Sequence, residues 1–187
     1  MKGQPVKPGT GKLLISEPFL PDPSFKRTVI MLTEHNEKGS VGFILNRQLD
    51  MTITDVMDDL PHFDSKLHYG GPVEPDTLHY LHRTGDALEG SIEITKGIYW
   101  GGNFEALKIL MKNKQVDPSD FQFFIGYSGW GPDQLKHELK EKSWMLTSAR
   151  EEHCFLENPE GLWTNVLKTM GNEYAIIANF PEDPSLN

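Results

Sequence analysis

Residues 28–46 read TVIMLTEHNEKGSVGFILN, two apolar and β-branched runs separated by a polar, glycine-containing tetrad at 36–39. Runs of this composition favour strands, and a turn of this kind between them predicts a hairpin, with strands over 28–35 and 41–46. Val29, Ile30, Met31 and Leu32 are apolar at consecutive positions, so both faces of the first strand need cover. That points to a central strand, although periodicity alone does not separate it from other buried segments. A sheet is therefore the framework into which the other elements have to fit.

Further strand candidates are Leu13-Leu14-Ile15, residues 121–127 and residues 143–147. Residues 78–83 and 88–95 read as a second strand pair joined through Thr84-Gly85-Asp86. Helices are expected over 54–60, capped by Thr54 and stopped by Pro61, and from Asn103 to about Lys114. Another is expected over 132–142. In the last, Asn158 caps, Pro159 takes the first position, and Leu162, Trp163, Val166, Leu167 and Met170 form one stripe. Residues 1–10 and 181–187, rich in Gly and Pro, read as loose tails. With no repeat or linker in between, the chain reads as one α+β domain over 1–187, helices interrupting a largely antiparallel sheet.

Bulk properties exclude several functions. A chain of 187 residues buries a core without a covalent or metal staple, and its single cysteine, Cys154, rules out an internal disulfide or a cysteine-built zinc finger. No apolar run approaches the ~20 residues a bilayer requires, and the N-terminal stretch lacks a signal-like apolar segment. The expectation is a cytoplasmic protein without a membrane partner. The net charge of −9, with four arginines scattered at 27, 47, 83 and 150, makes direct nucleic-acid binding unlikely on electrostatic grounds.

The segment FFIGYSGWGPDQL (123–135) resembles a strand that turns sharply into a helix. As a nucleophile elbow it offers Gly126 and Ser128, but Trp130 stands where the second glycine belongs, and an indole would crowd the turn. As a phosphate cradle it offers the amides of Gly129 and Gly131, yet Pro132 donates none, Asp133 already serves the helix dipole, and no Walker lysine follows. The leading reading is a tight turn that buries Trp130. His137 and Glu141 share a helix face but sit among lysines, and His79 and His82 would point to opposite faces of a strand. No catalytic residue, metal or cofactor is assigned, and Cys154, without a resolving partner, reads as a packed thiol. Arg27, His35, Asn46 and Arg47 punctuate the first hairpin, and they combine cationic with hydrogen-bonding groups. With Gly126, Ser128 and Gly129 they form the candidate ligand-binding set.

Several motifs follow in order: GKLLISEPFL (11–20), FKRTVIMLTEHN (25–36), GSVGFILNR (39–47), YGGPV (69–73), GYSGW (126–130) and QLKHEL (134–139), then Trp144. In these the chain resembles the YqgE/AlgH family of bacterial proteins, over roughly residues 11–180. The resemblance implies an α+β fold whose bifurcated, mostly antiparallel sheet curls into a pseudo-barrel with flanking helices. It implies no activity. Some members carry a label as transcriptional regulators of alginate production, but no basic recognition helix is present here. Relatives often have alanine at the position of Ser128 and serine at that of Gly129, which undercuts a serine nucleophile; some have cysteine at the position of Thr33, a thiol this chain lacks. The expected function is a non-enzymatic binding or indirectly regulatory protein. Its partner would be a small molecule or a protein, and its state a monomer or weak homo-oligomer. The alternative is a small hydrolase or transferase that grips an anionic group through Arg27, His35, Asn46 and Arg47.

Overall fold

The computed structural model describes residues 6–182; the outer parts of both expected tails, 1–5 and 183–187, lie outside the described residues. The first hairpin forms as its composition dictates. Strand β2 (Val29–Asn36) pairs antiparallel with β3 (Gly39–Ile44), with a register shift between Leu32 and Glu34. Val29 to Leu32 are all fully buried, so β2 is central, as its two apolar faces require. Strand β1 (Lys12–Ser16) covers its other edge, and β10 (Trp144–Ser148) lies outside β1.

Further strands are β4 (Gln48–Thr52), β5 (Lys66–Tyr69), β6 (Val73–His82), β7 (Ile92–Thr95), β8 (Ile98–Trp100) and β9 (Phe121–Trp130). The main path runs β10-β1-β2-β3-β9-β6-β8-β7. Strand β9 is the branch point. Its first half pairs parallel with β5 through Leu67↔Phe123 and His68↔Phe124, and its second half pairs antiparallel with β3 through Ser40↔Trp130 and Gly42↔Ser128. β6 occupies the opposite edge of β9. The sheet is thus largely antiparallel and bifurcated, with β5–β9 its parallel pairing. The terminal strands β10 and β7 do not pair, but Ile94 and Ile98 share a core with Leu13 and Ile15 of β1. An ideal Cβ on Gly11 would fall 2.4 Å from the Ile94 carbonyl oxygen. The sheet therefore curls until its ends meet without closing, a pseudo-barrel.

Helices α1 (Phe104–Lys112), α2 (Gln134–Lys140), α3 (Leu162–Thr169) and α4 (Asn172–Ile177) flank it. Asn103 caps α1 by accepting from Ala106 N, as its position predicts. Leu162, Trp163, Val166 and Leu167 form the buried stripe of α3. Other expectations need correction. Residues 54–60 form a single 3-10 turn at Ile53–Asp55 followed by loop, because Asp55 closes on Thr52 rather than opening a longer helix. α3 starts at Leu162, three positions past the expected Pro159, since Asn158 spends its side chain on Glu160 N in a tight turn. β6 does not pair with β7; β8 intervenes, and β7 pairs with β8 alone.

Candidate functional site

The largest correction concerns residues 126–130, which form no strand-to-helix turn. β9 continues through Trp130, and the turn falls at 131–133, where Gln134 Oε1 accepts from Gly131 N at 2.9 Å. The glycines serve a crossing instead. The chain leaves β5 on one edge of β9 and must reach β6 on the other within Gly70-Gly71-Pro72. It passes directly over Gly126-Tyr127. An ideal Cβ on Gly70 would fall 2.3 Å from Gly126 O, one on Gly71 2.3 Å from the Tyr127 carbonyl carbon, and one on Gly126 2.6 Å from Gly71 O. Only hydrogen fits at a crossing this close. Ser128 is fully buried there, and its hydroxyl donates to Gly70 O at 3.0 Å. Its Oγ is a strut of the crossing, out of reach of any substrate.

The seven candidate ligand residues are not brought together. Asn46 bolts the base of the hairpin: its Oδ1 accepts from Val29 N and its Nδ2 donates to Arg27 O, both at 2.9 Å. Arg27 lies over the Trp163 ring at 4.6 Å and donates to Phe180 O, tying the chain beyond α4 to the barrel. Arg47 donates to Lys26 O. His35 sits at the other end of the hairpin, its Nδ1 2.7 Å from Ser40 Oγ; seven residues of strand separate it from Thr28, roughly 23 Å. Gly129 lines a surface hollow at this same end, with Val73, Tyr127 and the Ser40 that His35 contacts. Asn46→Ala removes both bonds and strands the buried Val29 amide, so the variant should lose about 2–4 kcal/mol of unfolding free energy in urea titrations.

The other candidates resolve into structural roles. His137 Nε2 and Glu141 Oε1 pair at 3.2 Å on an exposed face of α2. Glu138, between them in sequence, is the more constrained residue: its Oε2 accepts from the indoles of both Trp130 (2.9 Å) and Trp144 (2.7 Å). Among the described residues no three His, Cys, Asp or Glu side chains converge as metal ligands. Burial of Cys154 pushes its thiol up to about 12, far from a reactive thiolate.

What the fold does offer is a cleft of about 740 Å³ beside β6 and β8. β8 pairs with β6 only at Leu81 and His82, so the segment of β6 before Tyr80 is left to form a wall. Met57, Leu78, Ile92, Trp100, Phe104 and Ile125 line it, and Ile92 is 55% exposed at its mouth. Its polar lining is Asp76, His79 and Tyr80. The Tyr80 hydroxyl donates to Gly102 O at 2.8 Å, and burial raises its pKa to about 12. His79 Nε2 lies 3.0 Å from Thr77 Oγ1, and burial holds the imidazole below its ordinary value against a smaller opposing pull from Glu74. Among the described residues no serine, threonine, cysteine or lysine lines the cleft. Sequence reading set His79 aside and missed Tyr80 and Trp100, because their convergence depends on β8 inserting between β6 and β7.

A bifurcated, largely antiparallel pseudo-barrel with flanking helices and an apolar cleft beside β6 and β8 defines an α+β domain. Residues 13–175 match the AlgH-like family model, and the chain belongs to that family. It is 45% identical over 178 residues to a UPF0301 protein of Cytophaga hutchinsonii, covering 95% of this chain and 98% of the relative. It is 42% identical to a UPF0301 protein of Chlorobium limicola, covering 95% of each. Among solved structures it is similar to the AlgH protein of Pseudomonas aeruginosa (TM-score 0.71, 25% identity, 92% and 94% covered). A protein of Corynebacterium diphtheriae shares the fold at 19% identity (TM-score 0.80, 95% of each chain covered).

Proposed function

We propose that this chain is a non-enzymatic binding protein whose ligand is a largely apolar small molecule held in the cleft beside β6 and β8, and that any regulatory effect runs through that ligand rather than through DNA. The observation that carries this reading is the cleft itself: an apolar cavity of about 740 Å³ with few polar groups, of ligand-pocket size. Against the hydrolase or transferase alternative, Ser128 is sealed in the strand crossing and His35 sits at the end of the hairpin opposite Arg27, Asn46 and Arg47. The cytosolic placement rests on the sequence, and among the described residues no helix is long and apolar enough to cross a membrane.

Trp100 supplies the readout. Trp130, Trp144 and Trp163 are buried, whereas Trp100 is half-buried in the cleft wall. Nile red, an uncharged apolar dye, should bind saturably and change Trp100 emission. Ile92→Glu places a carboxylate at the mouth without touching the core, and should weaken that binding by about tenfold or more while circular dichroism stays unchanged. Equal dye binding by both proteins would sink the assignment.

A further inference from the structure

A second cavity, of about 530 Å³, opens where β5 and the first half of β9 meet the loop through Leu156 and Glu157. Two of its lining side chains are buried and incompletely satisfied. His68 is 3% exposed, and among the described residues neither ring nitrogen makes a hydrogen bond of good geometry, although the backbone of Phe123 and Lys66 lies near enough to favour its charged form. Gln122 is also 3% exposed. Its Nε2 donates to Leu45 O at 3.2 Å, and its Oε1 has no partner. The two share a face by register: His68 pairs with Phe124, and Gln122 lies two residues before Phe124 on the same strand. Natural proteins rarely leave buried polar atoms unpaired, and such atoms lining a cavity mark where a ligand's polar edge belongs.

The rim sets the sign of charge. Asp64, Asp117 and Glu157 line it with Lys66, which already leans on Asp50 at 3.7 Å, and the neighbouring Arg83, which also acts on Asp117, is itself paired with Asp120 and Glu151. A phosphate or carboxylate would meet net repulsion there. Within, a neutral imidazole presents one donor and one acceptor, and Gln122 Oε1 presents a second acceptor. The complement is a planar group with an NH2 donor beside a carbonyl or ring-nitrogen acceptor.

We infer that the His68–Gln122 cavity is a second binding site, separate from the apolar cleft, for an uncharged, unphosphorylated amino-heterocycle or primary carboxamide. Such a ligand would donate to Gln122 Oε1 and exchange donor and acceptor with the His68 ring. The full chain, labelled with 15N, tests this by titration with adenosine, nicotinamide and AMP while the His68 ring and Gln122 side-chain amide resonances are followed. Adenosine or nicotinamide should shift both saturably, with AMP about tenfold weaker than adenosine. Gln122→Met, which keeps the length and removes the acceptor, should weaken binding about tenfold. Should that variant fail to fold, Asp117→Asn serves instead: it keeps the turn cap on Ser119 N and should narrow the gap between adenosine and AMP. The proposal is overturned if neither neutral compound shifts these resonances, if AMP binds as well as adenosine, or if the shifts fall on Trp100 and His79, which would assign the binding to the apolar cleft instead.

Discussion

Gly71→Ala should cost roughly 3–6 kcal/mol, a large share of the ~5–15 kcal/mol typical of a domain, although the substitution adds a single methyl group. Two costs add. Gly71 holds φ +150°, a region side chains rarely adopt, and its Cβ would fall 2.3 Å from the Tyr127 carbonyl carbon and 2.4 Å from Ser128 Oγ. Neither neighbour can yield: one is the backbone of the branch-point strand, and the other is fully buried and bonded to Gly70 O. Gly171→Ala isolates the first cost, because Gly171 has φ +126° and nothing within 4 Å of its Cβ position. That variant should lose only about 1–3 kcal/mol. Guanidinium unfolding followed by tryptophan emission compares the two, and equal losses would refute the crossing as the reason for the glycines.

The crossing also explains what could be read from the chain and what could not. Strands with consecutive apolar residues, such as β2, were legible because burial on both faces leaves a local record. The α3 stripe was legible for the same reason, and Asn103 announced α1 through capping chemistry. The motifs YGGPV and GYSGW are conspicuous, but GYSGW alone reads as a strand-to-helix turn, because the constraint on each motif lies in the other, more than fifty residues away. β4, β5 and β8 escaped notice: they are short, and β4 is mostly exposed, so their strand character comes from their neighbours. α4 was missed because it has no buried residue in its own span. The site suffered most. Arg27, Asn46 and Arg47 looked like ligand contacts because cationic and amide groups cluster there, yet each satisfies backbone carbonyls or amides around the hairpin base. His68 gave no sign at all, since its burial is created by β4, β9 and a distant loop closing around it.

The burial of His68 has a thermodynamic consequence whose sign is fixed. Loss of solvation holds its imidazole at about 4, against an ordinary value of 6.5, and outweighs the opposing pull of the Phe123 and Lys66 backbone. Above pH 6.5 the ring is neutral in folded and unfolded chains alike, and stability does not depend on it. Below pH 6.5 the unfolded chain takes up a proton that the folded chain refuses until about pH 4. Stability therefore falls as the solution is acidified through that window, at up to about 1.4 kcal/mol per pH unit and roughly 3 kcal/mol in all. Burial depresses His79, His82 and His153 in the same direction, which steepens the total slope. The exposed carboxylates of Asp55, Asp59 and Asp117, held low by hydrogen bonds, add their dependence only nearer pH 4 and below. Urea unfolding at intervals between pH 4.5 and 7.5 separates these contributions when wild type is compared with His68→Gln. The substitution also changes packing and hydrogen bonding by an amount independent of pH, so the slope rather than the absolute value is the test. Between pH 4.5 and 6 the variant's slope should be shallower by about 1 kcal/mol per pH unit; an unchanged slope would mean that the ring takes up its proton in the folded protein as readily as in water.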